Sequence, residues 1–416
     1  MDLKVLFYGS VFMIFVLQFN ESNTEAVRPW KELPLATGLK MTNLSSKYYV
    51  SPVGNDSYRG SSVAPFLTIQ RAADIVNPGD TVIIKNGTYA TNGAILINLS
   101  RGGSDGMDVV FIAENIWGAI LDGKGITVTG WNITNGASYV QFINLAITGF
   151  RESGFNANHS GFVSQHITVQ GNKISDIGRY ETTSPYGICG IYLRKGNHHW
   201  TIDKNLIYNI GRTGPENYFM NKDHAVYTGT TDSPANAAHQ INITYNVMYG
   251  ISGAHITTGS NDDLIANNVM AWRNENRKGA SCFIAVDAEV TGLTLANNIF
   301  YQPPASNPFS VNGYAPFTGW AIKNNMVYGG RMWNSSNANT RAAMAGGNYG
   351  QTDCEKAEVN PEFVFAVKAN APHIDFSLQK GSPAINAGVR VGLTSDYLGN
   401  PIMGHPDIGA YEYLIP

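Results

Sequence analysis

The sequence predicts an all-β chain folded as a right-handed parallel β-helix, a solenoid of stacked coils with a short N-terminal capping helix. Three observations carry this reading. One short pattern with an Asn at its corner recurs along the chain, a second strand aligns between the recurrences, and the size and composition suit a solenoid better than a globule. The chain has 416 residues, 44 of them Gly, and only 14% of it is charged. A single globular core stops growing near about 250–300 residues, whereas a solenoid escapes that limit because each coil packs only on its neighbours.

The corner pattern runs through Ile167–Ile174, Trp200–Ile207, Ile241–Met248, Leu264–Met270, Leu293–Phe300 and Trp320–Val327. Each segment alternates apolar with other residues, turns at an Asn and alternates again, and period-two alternation is the mark of a strand. The shared Asn falls at 172, 205, 246, 268, 298 and 325, with spacings of 33, 41, 22, 30 and 27. The shortest spacing is about one coil of such a repeat, and the excess in the others is loop. Asn tolerates the left-handed backbone of a sharp corner. Stacked at one corner, these side chains are expected to form a hydrogen-bonded ladder, a structural role.

The second strand aligns as Cys189–Leu193, His224–Thr228, Gly253–Thr257 and Cys282–Val286. Loops of variable length precede it in every coil, at 178–186, 211–223, 250–252 and 272–281. Loops at one corner of stacked coils lie on one side of the rod, where they wall a groove whose floor is this strand. At the N-terminal end, Tyr48–Tyr89 reads as strand, turn, helix and strand. The helix is placed at Thr68–Val76 and is stopped by Asn77, Pro78 and Gly79. Asp375–Leu378, Ser382–Ile385 and Pro406–Tyr413 read as a compact close. Such caps hide the open edges of a solenoid. The organisation is therefore residues 1–26 as a signal peptide, 27–47 as an extension and 48–416 as the β-helix domain. Within the domain, 48–93 is the N-terminal cap, 94–350 the coils and 351–416 the C-terminal cap.

The signal peptide is read from Lys4, the apolar stretch Val5–Phe19 and a small-residue cleavage position at Ala26. Fifteen apolar residues are too few for a comfortable membrane span, so a secreted, extracellular protein with no membrane contact in its mature form is expected. Asn43, Asn86, Asn98, Asn132, Asn242 and Asn334 head glycosylation sequons, so a glycoprotein is expected in a host that glycosylates. Three cysteines, Cys189, Cys282 and Cys354, give no disulfide framework. The first two occupy equivalent points of two coils and read as buried small apolar residues. The net charge of −3 argues against a nucleic-acid partner. It leaves room for an acidic polysaccharide bound in a locally basic cleft. A monomer is expected.

The segments Tyr48–Asp56, Pro65–Ala73, Pro78–Val82 and Asn86–Tyr89 resemble the opening of many extracellular β-helix proteins of the pectin-lyase-like superfamily, and Pro406–Tyr413 resembles their terminal motif. The resemblance covers nearly the whole mature chain. It implies a right-handed parallel β-helix and a carbohydrate-directed role, most often on acidic polysaccharides. It does not fix the reaction, because the fold hosts lyases, hydrolases, C5-epimerases and adhesins.

The groove loops hold the charge that the rest of the chain lacks: Arg179, Tyr180 and Glu181; Arg212, Glu216, Tyr218, Lys222 and Asp223; Arg273, Glu275, Arg277 and Lys278. A polyuronate lyase needs a base for the C5 proton, a cation or Ca²⁺ to neutralise the neighbouring carboxylate, and an acid for the leaving oxygen. Lys222 or His224 suits the base, and Arg212 or Arg273 the neutraliser. Tyr192 and Tyr227 fall in one column of the floor, where aromatic rings stack on sugars. With Arg179, Tyr218 and Lys278 they form the expected substrate-binding set. A Ca²⁺ site is expected at Asp287, Glu289 and Asp263, which follow adjacent floor strands.

Other readings of the same residues stand beside these. Asp223 with Glu216 or Glu181 would make the carboxylate pair of a glycoside hydrolase. A C5-epimerase would use the same proton abstraction as a lyase, and an adhesion rod would use none of it. His255 reads as a core histidine. His198 and His199 read as a surface turn, since no third ligand is near them in sequence.

Overall fold

The computed structural model describes residues 45–158, 161–179, 184–193, 196–213, 222–229, 237–272, 282–286, 290–302, 309–313, 318–333, 356–366 and 374–414. All of them belong to one compact unit, Asn43–Pro416. The expected signal peptide and most of the extension lie outside the described residues.

The unit is a parallel β-helix with three strand faces. The first face is a ten-stranded parallel sheet that begins with Lys47–Val50, Thr81–Ile84 and Val109–Ala113 and ends with Ala321–Lys323. After each of its strands from Val140–Ile143 onward, the chain turns the Asn corner into a short second-face strand such as Lys173–Ser175 or Val247–Tyr249. It then crosses to a third-face strand such as Cys189–Leu193. Coil-to-coil pairing is parallel on all three faces, for example Thr201–Asp203 with Asn242–Thr244 and Leu206–Tyr208 with Val247–Tyr249.

The corner ladder forms as expected. Asn172, Asn205, Asn246, Asn268, Asn298 and Asn325 are fully buried. Each of the first five donates from Nδ2 to the Oδ1 of the next, at 2.9–3.2 Å. Their Nδ2 groups also bond main-chain carbonyls inside the turn, such as Ile202 O for Asn246. The left-handed residue is the one before each ladder Asn: Gly171, Lys204, Tyr245, Asn267, Asn297 and Asn324 all have positive φ. The ladder Asn is thus selected by its amide bonds, and the corner strain falls on its neighbour.

Inward side chains fill the lumen. In the N-terminal coils, Phe111, Trp131, Phe142 and Phe155 pack ring against ring with centroids 4.6–5.9 Å apart. Farther along, Ile191, Val226, Ile256 and Ile284 continue the lumen as a column of fully buried aliphatic residues. Cys189 and Cys282 are buried thiols, as expected.

The N-terminal helix is shorter than expected, Ile69–Ala73, with Thr68 as N-cap accepting from the Arg71 N–H. Ile69, Ala72 and Ala73 are buried on the first coils. The C-terminal segment departs from the expected end closure. Phe363, Phe376, Ile408 and Ala410 pack against Val247, Val269, Ile299 and Met326, which are second-face residues of four successive coils. Lys204 Nζ donates to Ser395 Oγ, and Asn267 Nδ2 donates to Asp407 O. The described part of the segment therefore runs along the flank, where it covers an outward apolar stripe of the second face.

Candidate functional site

On the third face, Cys189 pairs with His224, Ile191 with Val226 and Tyr192 with Tyr227. The next coil puts Ile256 beside Val226 and Thr257 beside Tyr227. The expected alignment of Gly253–Thr257 is therefore one residue out of register. Lumen filling decides this, since Ile256 must continue the column of Ile191 and Val226.

The outward residues make an aromatic strip. The rings of Tyr192 and Tyr227 meet edge to face at 5.2 Å, and His224 stacks beside Tyr227 at 5.5 Å. His224 is 4% exposed. Its Nδ1 lies 3.2 Å from Ala254 O and 3.1 Å from Thr257 Oγ1. A carbonyl only accepts, so Nδ1 carries the hydrogen in this contact. Lys222, at the loop edge of the strip, is exposed, with Nζ 3.2 Å from Pro185 O.

Arg212 is placed differently from the expected carboxylate neutraliser. It is 2% exposed, and its Nη1 pairs with Asp223 Oδ1 at 3.1 Å. Its Nη2 donates to Ser184 O and Tyr186 O, at 2.9 and 2.6 Å. Asp223, fully buried, also accepts the backbone N–H groups of Arg212 and Ile188. The pair is a strut that ties the loop ends at 184–188 and 211–212 together. A guanidinium buried at 2% exposure and paired with Asp223 is held within the fold rather than presented at the groove surface. The same burial takes Asp223 out of the carboxylate pair that a hydrolase would need.

Arg179 is half-buried and donates to Gly211 O at 3.2 Å. Burial holds its guanidinium below the usual value, against the pull of Asp176. Arg179, Arg212 and Asp223 thus tie the described ends of the loops together, while Tyr192, Tyr227, His224 and Lys222 form the strip and its edge. Arg273, Tyr218, Lys278, Asp287 and Glu289 lie outside the described residues.

Asp263 is also placed differently from an open metal ligand. It is buried and accepts from Ser260 Oγ at 2.6 Å, Thr258 Oγ1 at 3.0 Å and the Ile241 N–H at 2.9 Å. Burial pushes its carboxyl up to about 7 despite these bonds. It fastens the turn of one coil to the next. His255 is a core histidine, fully buried, with Nε2 3.0 Å from Ala271 O and its ring against Phe283.

One cluster escaped the sequence reading. His239 sits one coil beyond His198 in the same corner column, and its ring stacks on His198 at 4.7 Å. The signal was present, because His198 stands two residues before Trp200, as His239 does before Ile241, in the aligned corner pattern.

With this geometry in view, comparison with known proteins gives consistent findings. Residues 48–180 match the family model described as Pel9A-like, right handed beta helix region. Together, the coils and this match make the chain a right-handed parallel β-helix with a Pel9A-like region over residues 48–180. Pectate lyase L of Dickeya dadantii (strain 3937) is 28% identical over 148 residues, which is 32% of this chain and 35% of that protein. The uncharacterized protein YwoF of Bacillus subtilis (strain 168) is 24% identical over 232 residues, 56% of this chain and 42% of that protein. The matched region thus spans less than half the length of these curated relatives. Among solved structures, an alginate lyase from Paenibacillus sp. str. FPU-7 aligns with a TM-score of 0.45 and 18% identity, covering 73% of this chain and 97% of that one.

Proposed function

We propose that the chain is a secreted, monomeric polysaccharide lyase that cleaves a uronate-containing glycan by β-elimination, with Lys222 as the base. The observation that carries the reading is the exposed amine of Lys222 at the edge of the Tyr192–Tyr227 strip. The strip offers ring faces and edges to the sugars, and the amine is accessible where the buried His224 is not. The partial similarity to a pectate lyase supports the same substrate class.

In this reading Lys222 Nζ takes the C5 proton of a uronate. The electron pair of that C–H bond forms the C4=C5 double bond as the C4–O bond breaks, and an acid or water protonates the leaving oxygen. The substrate carboxylate must be neutralised for the C5 proton to become acidic. Arg212 is committed to Asp223, so we assign that role to Arg273, with Ca²⁺ held by Asp287 and Glu289 as the other source of positive charge.

The test mixes purified protein with a panel of polyuronates, with and without Ca²⁺, and follows the ultraviolet absorbance of the unsaturated uronate that only elimination makes. A rise on at least one polyuronate is expected. A flat trace with release of reducing sugar would replace the reading with hydrolysis. A flat trace with saturable glycan binding would replace it with a binding rod.

A further inference from the structure

The geometry points to a transition-metal site of the zinc class formed by His198, His199 and His239 at the corner between the third and first faces. One ligand nitrogen from each of the three lies within 4.8 Å of the others. His198 Nδ1 and His199 Nδ1 are 2.7 Å apart. Zinc binds imidazole nitrogen at about 2.0–2.1 Å, so two ligands on one ion sit about 3.3 Å apart in tetrahedral geometry. Small side-chain rotations open the close pair and draw in the third nitrogen, and partly exposed rings make such rotations readily.

The site is built by the coil repeat. Gln165, His198, His239 and Asn261 form one column of bridged residues. The residues that follow them, His166, His199, Gln240 and Asp262, all have positive φ. Adjacent coils are about 4.8 Å apart, so the two neighbouring columns bring four imidazoles together in a staggered group over three coils. His198 stacks on His239, and His199 stacks on His166 with centroids 4.6 Å apart. At the Asn corner the matching left-handed positions are mostly Gly or Asn, the residue types that tolerate that backbone best. Here the chain places histidines instead.

The chemistry suits the ion. Three neutral imidazoles are a borderline-soft donor set that selects zinc or copper over Ca²⁺ or Mg²⁺. Three protein ligands leave a fourth position open, as in catalytic rather than structural zinc sites. His199 and His166 also line a groove of about 760 Å³ on the outer side of the first face, together with Asp105, Asp108, Tyr139 and Gln141. A ligand in that groove has access to the ion. The site lies at the opposite end of the third-face strand from Lys222, and it stands or falls independently of the lyase reading.

The test is isothermal titration of tag-free full-length protein with ZnCl₂ at neutral pH. One ion per chain is expected, with a dissociation constant below about 10 μM. His198→Ala and His239→Ala should each weaken binding at least tenfold, and the double variant should abolish it. His405→Ala, an exposed histidine elsewhere, should leave it unchanged. As a readout that needs no variant, Zn²⁺ should raise the melting temperature of the wild-type protein and a chelator should reverse the rise. No saturable binding, no such rise, or a double variant that binds like the wild type overturns the proposal.

Discussion

Asn246 shows what one side chain contributes to a stacked fold. Its amide donates to Ile202 O, Thr244 O and Asn268 Oδ1, and its Oδ1 accepts from Asn205, all within a fully buried corner. Asn246→Ala strands several buried groups at once, and each such group costs about 1–3 kcal/mol. The expected outcome is a loss of at least about 2 kcal/mol in guanidinium unfolding. Asn242→Ala, an exposed residue of the same coil, should change stability by less than about 0.5 kcal/mol. The Arg212–Asp223 strut makes a second prediction. Arg212→Met leaves a buried carboxylate unpaired and should cost about 3–5 kcal/mol, whereas Arg212→Met combined with Asp223→Leu should recover most of that. A double variant as unstable as the single one would show that the strut is not what Arg212 provides. The ladder was legible from repetition alone. The strut was not, because the sequence shows charged loop residues without showing which of them turn inward.

The strands and caps were legible to different depths. The first-face strands and the Asn corner repeat in sequence, and both are where the pattern puts them. The third-face strand was aligned correctly at Cys189 and His224 and one residue out at Gly253. Local likeness between Ile256–Thr257 and Tyr227–Thr228 outweighed the lumen column that sets register. The C-terminal segment reads in sequence as an end closure, whereas its described residues pack along the flank of the second face. Its acids make the element's own prediction. Burial, reinforced by the charges of Asp407 and Asp396, raises Glu412 to about 7, and burial raises Asp407 as well. A carboxyl raised on folding binds its proton more tightly in the folded state than in the unfolded one. Its stabilising contribution is fully present below the ordinary carboxylate pKa of about 4 and is lost as pH rises through about 7. Amides of 407–413, corrected for intrinsic exchange, should therefore be better protected at about pH 5 than at about pH 8. Equal protection at the two values would contradict the assignment.

At the scale of the molecule, stacking explains both what was legible and what was not. A coil repeat announces itself, so the fold follows from the spacing of six asparagines. Function depends on which residues of separate coils come into register at one edge, and His198 with His239 shows how a site can hide between repeats 41 residues apart. The same logic places Lys222, from the longest-spaced coil, at the rim of tyrosines from two coils. The most direct test of the lyase reading compares the elimination rate of the wild-type protein and Lys222→Ala on the polyuronate that the panel identifies, with matched melting temperatures as the folding control. The account predicts a rate lower by at least about 10²-fold, the contribution of a positioned base. A variant that eliminates within about twofold of the wild type would contradict it, and would move the base to another residue of the groove.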